Sequence, residues 1–325
     1  MKIDDHKRKV MLQYLVILLD DTSVAYCHAD NPLKQRNLMP LDTLRKAILF
    51  GMKENLMIQY VYPDYNLPEE YNEVIESIDH VKIGRDVPVY NDVPVTITAD
   101  NAVLRLSIKD FIAKQYDIAA LLPQVTRLNI CLTDVENFTD EQTDDYKKAL
   151  STLNAVIVNL FKSGKQPQVN ILTDRLQLDK MHNCDAGVNN ITVAPNGKFY
   201  LCPAFYYDEC MGVNNRMNHH KPSSDRSVGD IDNGIDIPNR QLLQLDHAPL
   251  CRKCDAYQCK RCIWLNERLT WDANTPSHQQ CVLAHLERNA SRELVESIKS
   301  KTDRQITTEI KEIDYLDPFE VREEF

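Results

Sequence analysis

No run in this 325-residue chain reaches the length of a transmembrane helix. The most apolar stretch, Val10 to Leu19, is short, contains Gln13 and runs straight into Asp20-Asp21 with no small-residue cleavage site. It reads as a buried strand and not as a secretory signal, so no membrane partner is expected and the expected compartment is the cytoplasm. A basic surplus is missing too. The net charge of −10 argues against nucleic acid as a partner and is compatible with a cationic peptide. There is no glycine-rich phosphate loop, no Gly-x-Ser-x-Gly and no His-Glu-x-x-His, which leaves phosphoryl-transfer, serine-hydrolase and zinc-protease readings without a motif. Internal repeats and low-complexity tracts are likewise absent.

Cysteine is plentiful. Of ten cysteines, Cys27 and Cys131 stand alone, whereas Cys184, Cys202, Cys210, Cys251, Cys254, Cys259, Cys262 and Cys281 crowd into one segment. Disulfides are rare in the cytosol, so such crowding asks for metal ligation. The hydrophobic share of 43% supports an ordinary buried core.

Up to about residue 175 the pattern alternates strand and helix. Tyr14 to Leu19 and Leu56 to Val61 are strand-length apolar runs, with Leu41, Leu44, Ile48 and Met52 at helical spacing between them. His80–Ile83 or Val93–Ile97 supplies a third strand, followed by a helix near Ile108 to Leu122 and a strand from Val125 to Leu132. Thr139 and Gln142 form a capping-box pair for a helix with the stripe Tyr146, Leu150, Leu153, Ile157 and Leu160, closed by Ser163-Gly164. Val169 to Leu172 is the last strand of this half. The order implies an α/β fold with a parallel sheet, either open or a partial barrel. Beyond it, Ile191 to Leu201 reads as a hairpin turning at Pro195-Asn196-Gly197. Residues 206–247, with the pair His219-His220, look loop-rich, and a helix spans His285 to Ser300. The tail beyond it is mostly charged.

The cysteine spacing falls in two parts. Cys184 is followed by Gly197 and, after four further residues, by Cys202. Then comes Cys251-x2-Cys254-x4-Cys259-x2-Cys262, and later Cys281. A Cys-x2-Cys loop lets two thiolates grip one centre while backbone amides bond the sulfurs. Seven cysteines exceed one four-thiolate site and nearly fill two. Four-cysteine zinc sites also use paired Cys-x2-Cys loops, but their pairs are normally farther apart.

This layout resembles the SPASM domain, the auxiliary-cluster domain of radical S-adenosylmethionine peptide-modifying enzymes, over residues ~180–290. The inner group here is one residue shorter in each of its last two gaps. Ser227-Val-Gly-Asp-Ile231 is similar to the short glycine turn that the family places before the tight group. The resemblance implies two [4Fe–4S] clusters, one on Cys184, Cys202 and Cys262 and the other on Cys251, Cys254, Cys259 and Cys281. The first is one ligand short, and Cys210 and His182 are the local candidates unless the iron stays open to substrate.

A SPASM domain normally follows a partial (β/α) barrel whose first loop carries Cys-x3-Cys-x2-Cys, three thiolates that leave one iron open for S-adenosylmethionine. Here the three positions read Asp20, Val24 and Cys27, and the family's Gly-Gly-Glu turn is absent, Tyr60-Val-Tyr-Pro63 standing in its place. S-adenosylmethionine is therefore not expected. Cys27, His28 and Asp30 are candidates for a remnant site, the plainer reading being an ordinary loop; Cys131 reads as core. Trp264 and Trp271 are expected to pack around the cysteine-rich part. The expected organisation is a degenerate radical-enzyme α/β barrel at 1–178, a small SPASM-like α+β iron–sulfur domain at 179–290, and a C-terminal helix and tail at 291–325.

The segment Asn274-Thr-Pro-Ser-His-Gln-Gln-Cys281 and Ala284-His-Leu-Glu-Arg288 resemble the CXXX repeat peptide maturases. That likeness implies a role in maturing a ribosomally made, cysteine-rich precursor peptide. Three functions follow: a redox or Lewis-acid enzyme, a non-catalytic module presenting the precursor to a partner modification enzyme, or a zinc-stabilised interaction protein.

Overall fold

The computed structural model describes residues 12–176, 184–212, 225–252, 254, 256, 259 and 262–301. His182, His219, His220 and the tail beyond Lys301 lie outside the described residues.

Two parallel sheets carry the first half. β1 (Tyr14–Leu18) leads through α1 (Leu41–Lys53) to β2 (Met57–Val61), and α2 (Glu69–Ile75) leads to β3 (His80–Ile83). β4 (Val89–Tyr90) and β5 (Asn101–Leu106) precede α3 (Ile108–Ala113), α4 (Gln115–Leu121) and β6 (Arg127–Leu132). α5 (Thr143–Lys162) and β7 (Gln168–Val169) complete this half. The cysteine-rich half adds β8 (Asn190–Val193), β9 (Phe199–Tyr200), α6 (Pro203–Cys210), the ribbon β10 (Gly229–Asp230) and β11 (Gly234–Ile235), α7 (Ile263–Thr270) and α8 (His278–Lys301). One sheet runs β3-β2-β1-β8-β9 and another β4-β5-β6-β7. All pairings within them are parallel except β8 with β9. The expected hairpin thus forms, and its first strand also lies parallel to β1, continuing the first sheet.

Most of the expected elements are present, with local differences. β5 occupies a stretch the apolar pattern did not mark, because Arg105 interrupts it; the arginine is 5% exposed and each of its three side-chain nitrogens donates a hydrogen bond. Val93–Ile97 is not a strand, and Val95 is exposed. The expected helix from Ile108 to Leu122 is two helices that meet at Lys114. β7 stops at Val169, and the Asn170 side chain takes over the ladder: its Oδ1 accepts the Ile130 N–H at 2.7 Å and its Nδ2 donates to the Ile130 carbonyl at 2.9 Å. In α1 the core contacts are Leu44, Ala47, Ile48 and Gly51, while Met52 faces outward.

α5 follows its sequence signals closely. The Thr139–Gln142 capping box forms on the turn that leads into it. At the other end Gly164 N–H bonds the Phe161 carbonyl and Lys165 N–H the Leu160 carbonyl, the paired bonds of a Schellman stop. Tyr146, Leu150, Leu153 and Ile157 are fully buried, each aliphatic one worth about 1.5–3 kcal/mol of transfer free energy. α8 docks on this helix: Asn154 Nδ2 donates to the Ala290 carbonyl at 2.8 Å, and the Ser291 hydroxyl to the Leu172 carbonyl at 3.0 Å. A buried cluster of Arg175, Glu287 and Tyr146 ties the same elements together. Among the described residues no helix is long and apolar enough to cross a membrane.

Candidate metal centre

A cavity of about 720 Å³ opens on the inner faces of both sheets. The period of two along β6 puts Arg127, Asn129 and Cys131 toward it, with Leu128 and Leu132 buried on the other side. From the other sheet come Val16 of β1, Gln59 of β2, Ile83 of β3 and Asn190 of β8. Six of the ten cysteines border this one space: Cys27, Cys131, Cys184, Cys202, Cys259 and Cys262.

Each thiol is positioned by local structure. Cys202 and Cys262 are the N-cap residues of α6 and α7. Neither sulfur accepts a cap hydrogen bond, but the nearby backbone N–H groups of Ala204, and of Leu265 and Trp264, act to lower the Cys202 and Cys262 thiols respectively. Both cysteines thus sit at helix N-termini, whose positive dipole ends favour negative charge. Cys184 precedes a turn in which Asp185 accepts the Val188 and Asn189 N–H groups, and Asn189 in turn accepts the Gln13 and Tyr14 N–H groups at the start of β1. Cys27 lies on the loop after β1, which Arg105 grips from β5: Nε bonds the Cys27 carbonyl at 2.9 Å, and one terminal nitrogen bonds the Ala29 carbonyl at 3.3 Å and Asp30 at 2.6 Å.

Burial pushes the Cys27 thiol up to about 11, the Cys131 thiol adding in the same direction. Burial likewise holds Cys202 and Cys262 well above the usual thiol range, with neighbouring thiols adding to it. Raised in this way, these thiols are protonated near neutrality, and a metal bound to them would displace their protons. The Tyr207 hydroxyl is buried with no hydrogen-bond partner among the described residues, within electrostatic reach of Cys27 and Cys202. A buried, orphaned donor beside two thiols fits a site whose anionic partner is a metal–sulfur group. Among the described residues no three His, Cys, Asp or Glu side chains draw together as tightly as one metal ion requires. Around a single zinc, thiolates at 2.3 Å from the metal stand roughly 3.8 Å apart.

Of the second set, Cys281 and Cys254 lie at the start of α8. Cys254 N–H bonds the Cys251 carbonyl at 3.0 Å, and the Ala256 N–H approaches the Cys254 sulfur at 3.4 Å, forming the tight loop expected of Cys-x2-Cys. Cys281 lies in the first turn of α8, where Ser277 and Gln280 exchange capping bonds. His285, one turn further on, puts Nε2 3.8 Å from the Cys254 sulfur. His285 belongs to no motif in the sequence, but its spacing of four from Cys281 places both on one helix face. Cys259, grouped by resemblance with this second set, borders the barrel cavity. Cys210 is at the opposite end of α6 from Cys202, exposed and outside the cavity lining. Cys131, read as core, turns into the cavity, with the His28 ring nitrogen 3.6 Å from its sulfur. Trp264 is buried beside the thiols and donates to Asp208 at 2.8 Å, while Trp271 is half exposed.

The first loop does not offer three ligands. The Asp20 carboxylate is occupied in holding the loop: it accepts from Thr22 N–H and hydroxyl at 2.8 and 2.5 Å, from Asn37 N–H at 2.9 Å and from the Tyr65 hydroxyl at 2.8 Å. Val24 is tied by its N–H to the Tyr62 carbonyl. Cys27 alone supplies a thiol there.

No family model and no curated protein matches the chain. Solved structures do. "Native anSMEcpe with bound AdoMet" is similar with a TM-score of 0.54 and 11% identity over 88% of this chain and 99% of that one. "His6 tagged anSMEcpe with bound AdoMet" gives 0.53 and 10% over 89% and 96%. At this identity the likeness is one of fold: a mixed α/β chain with parallel sheets.

Proposed function

We propose that this chain is an iron–sulfur protein that serves the maturation of a ribosomally made peptide, with clusters in its cysteine-rich half and no S-adenosylmethionine chemistry of its own. The observation that carries the reading is the single cavity on which Cys184, Cys202 and Cys262 meet the inner faces of both sheets. These three thiols, with Cys251, Cys254, Cys259 and Cys281, would hold two four-iron clusters. Such clusters supply electron transfer or Lewis acidity when bound. The shared fold with an AdoMet-bound protein supports descent from a barrel of that type. The occupied Asp20 and the apolar Val24 support the loss of the loop's own cluster.

A second cleft, of about 280 Å³, lies beside the cavity and shares His28, Ala29, Ala204 and Trp264 with it. Its charged lining is Asp30, Glu136, Asp208 and Arg268, with Asp30 paired to Arg105 and Asp208 to Arg226. The CXXX-repeat substrate rests on the sequence resemblance of residues 274–288.

Zinc is the second reading, and the Cys254–His285 approach favours it, since mixed Cys/His donors are common in structural zinc sites. Anaerobic purification followed by iron, sulfide and zinc determination separates the two. About eight irons and eight sulfides per chain support the cluster reading; zinc without sulfide replaces it with a zinc-stabilised binding module. In cells, peptide processing that survives both C184A and C262A would remove the maturation role of the first centre.

A further inference from the structure

The placement of the cavity thiols bears on the ligand that the first centre lacks. Cys184, Cys202 and Cys262 make three. Cys210 is eight residues along α6 from Cys202, about 12 Å away by helical rise. Cys27 borders the same cavity as the three, although it comes from the barrel loop in the other half of the sequence. We infer that Cys27 is the fourth thiolate of the centre held by Cys184, Cys202 and Cys262, so that a loop of the barrel closes the cluster of the cysteine-rich half.

Independent features agree. Cys202 and Cys262 are each within electrostatic reach of Cys27 and of Cys184. The loop carrying Cys27 is clamped, not loose: the buried Arg105 holds the Cys27 and Ala29 carbonyls and is itself fixed by Asn91 at 2.8 Å. Asn31 Nδ2 bridges the Asp21 and Ser23 carbonyls at 2.7 and 2.8 Å. From the other side, the Tyr206 hydroxyl of α6 bonds Asp21, joining the Cys27 loop to the helix that Cys202 caps. The orphaned Tyr207 hydroxyl lies near both Cys27 and Cys202, a ready donor to a sulfur of the bound centre. On loading, the Cys27 S–H bond breaks, the proton goes to solvent and a sulfur–iron bond forms, with no change in oxidation state. Four protein thiolates leave the first cluster without an open iron, which assigns it to electron transfer or structural support and not to direct binding of a substrate thiol.

This inference rests on the iron–sulfur reading above, and the experiment separates the two. Wild type, C27A, C27S and C131A are purified anaerobically, and iron, sulfide and electron paramagnetic resonance are measured with far-ultraviolet circular dichroism as the folding control. The expected result is about eight irons in wild type and C131A and about four in C27A and C27S. A loss of only one iron with the resonance of a three-iron cluster also supports the assignment, since it marks a single missing ligand. C27S keeps the size of the side chain and carries the test if C27A does not fold. Wild-type iron in both Cys27 variants overturns the inference and leaves the iron–sulfur reading intact. Wild-type protein without iron or sulfide overturns both.

Discussion

Glu287 of α8 is fully buried and accepts the Tyr146 hydroxyl at 2.7 Å on one carboxylate oxygen and the Arg175 guanidinium at 3.3 Å on the other. Arg175 is equally buried and donates in addition to the Ile171 carbonyl, while its Nε has no partner among the described residues. Replacing Glu287 by Ala strands the guanidinium in the core, at a cost of about 3–5 kcal/mol. It also strands the Tyr146 hydroxyl, a further 1–3 kcal/mol or so that overlaps with the first. A net loss of about 4 kcal/mol is a large share of a typical stability of 5–15 kcal/mol. With a urea slope of about 3 kcal/mol/M it lowers the midpoint by roughly 1.3 M. The paired replacement Arg175→Met with Glu287→Leu removes both charges and is expected to recover most of the loss. Urea unfolding followed by circular dichroism reads all three proteins. A midpoint shift below about 0.3 M for E287A at unchanged slope, or a double variant no better than the single one, would refute the reasoning that this cluster fastens α8, and with it Cys281, to the barrel.

Three further expectations follow from particular contacts. Arg105→Lys keeps the charge but cannot span the Cys27 and Ala29 carbonyls and Asp30 together; the metal-loaded variant should release metal to a chelator several-fold faster than wild type, and equal rates would show the clamp to be idle. Gly229→Ala places a Cβ against the Gly234 carbonyl at φ 124° and should destabilise the β10–β11 ribbon by at least about 1 kcal/mol, read as a lower melting temperature; an unchanged melt refutes it. Hydrogen bonds from Ser227, with Lys198 adding, hold the Asp225 carboxyl down at about 2, from 3.8. Because its folded value is depressed, the stability it contributes is present above pH 3.8 and is lost as the pH falls toward 2. A carboxyl resonance titrating near 4 instead would show that these bonds do not hold in solution.

Local patterns determined a good deal by themselves. Helix α5 was legible end to end because its cap, apolar stripe and stop are all encoded within a few residues of where they act. The hairpin at Gly197 was legible for the same reason, its turn requiring a positive φ that glycine adopts freely. The crowding of cysteines between 184 and 281 was visible without any fold. β5 stayed hidden because a buried arginine breaks its apolar run, and only the tertiary structure provides the carbonyls and carboxylate that satisfy it. The same holds for the ligand environment. Cys27 and Cys131 look solitary along the chain, and His285 looks like one more helix residue. It is the parallel pairing of β8 with β1 and the docking of α6 and α7 that bring Cys27 to the thiols more than 150 residues away in sequence. Spacing reports which residues share a turn or a helix face, whereas a site assembled from separate loops exists only once sheet pairing and core burial have fixed where those loops end.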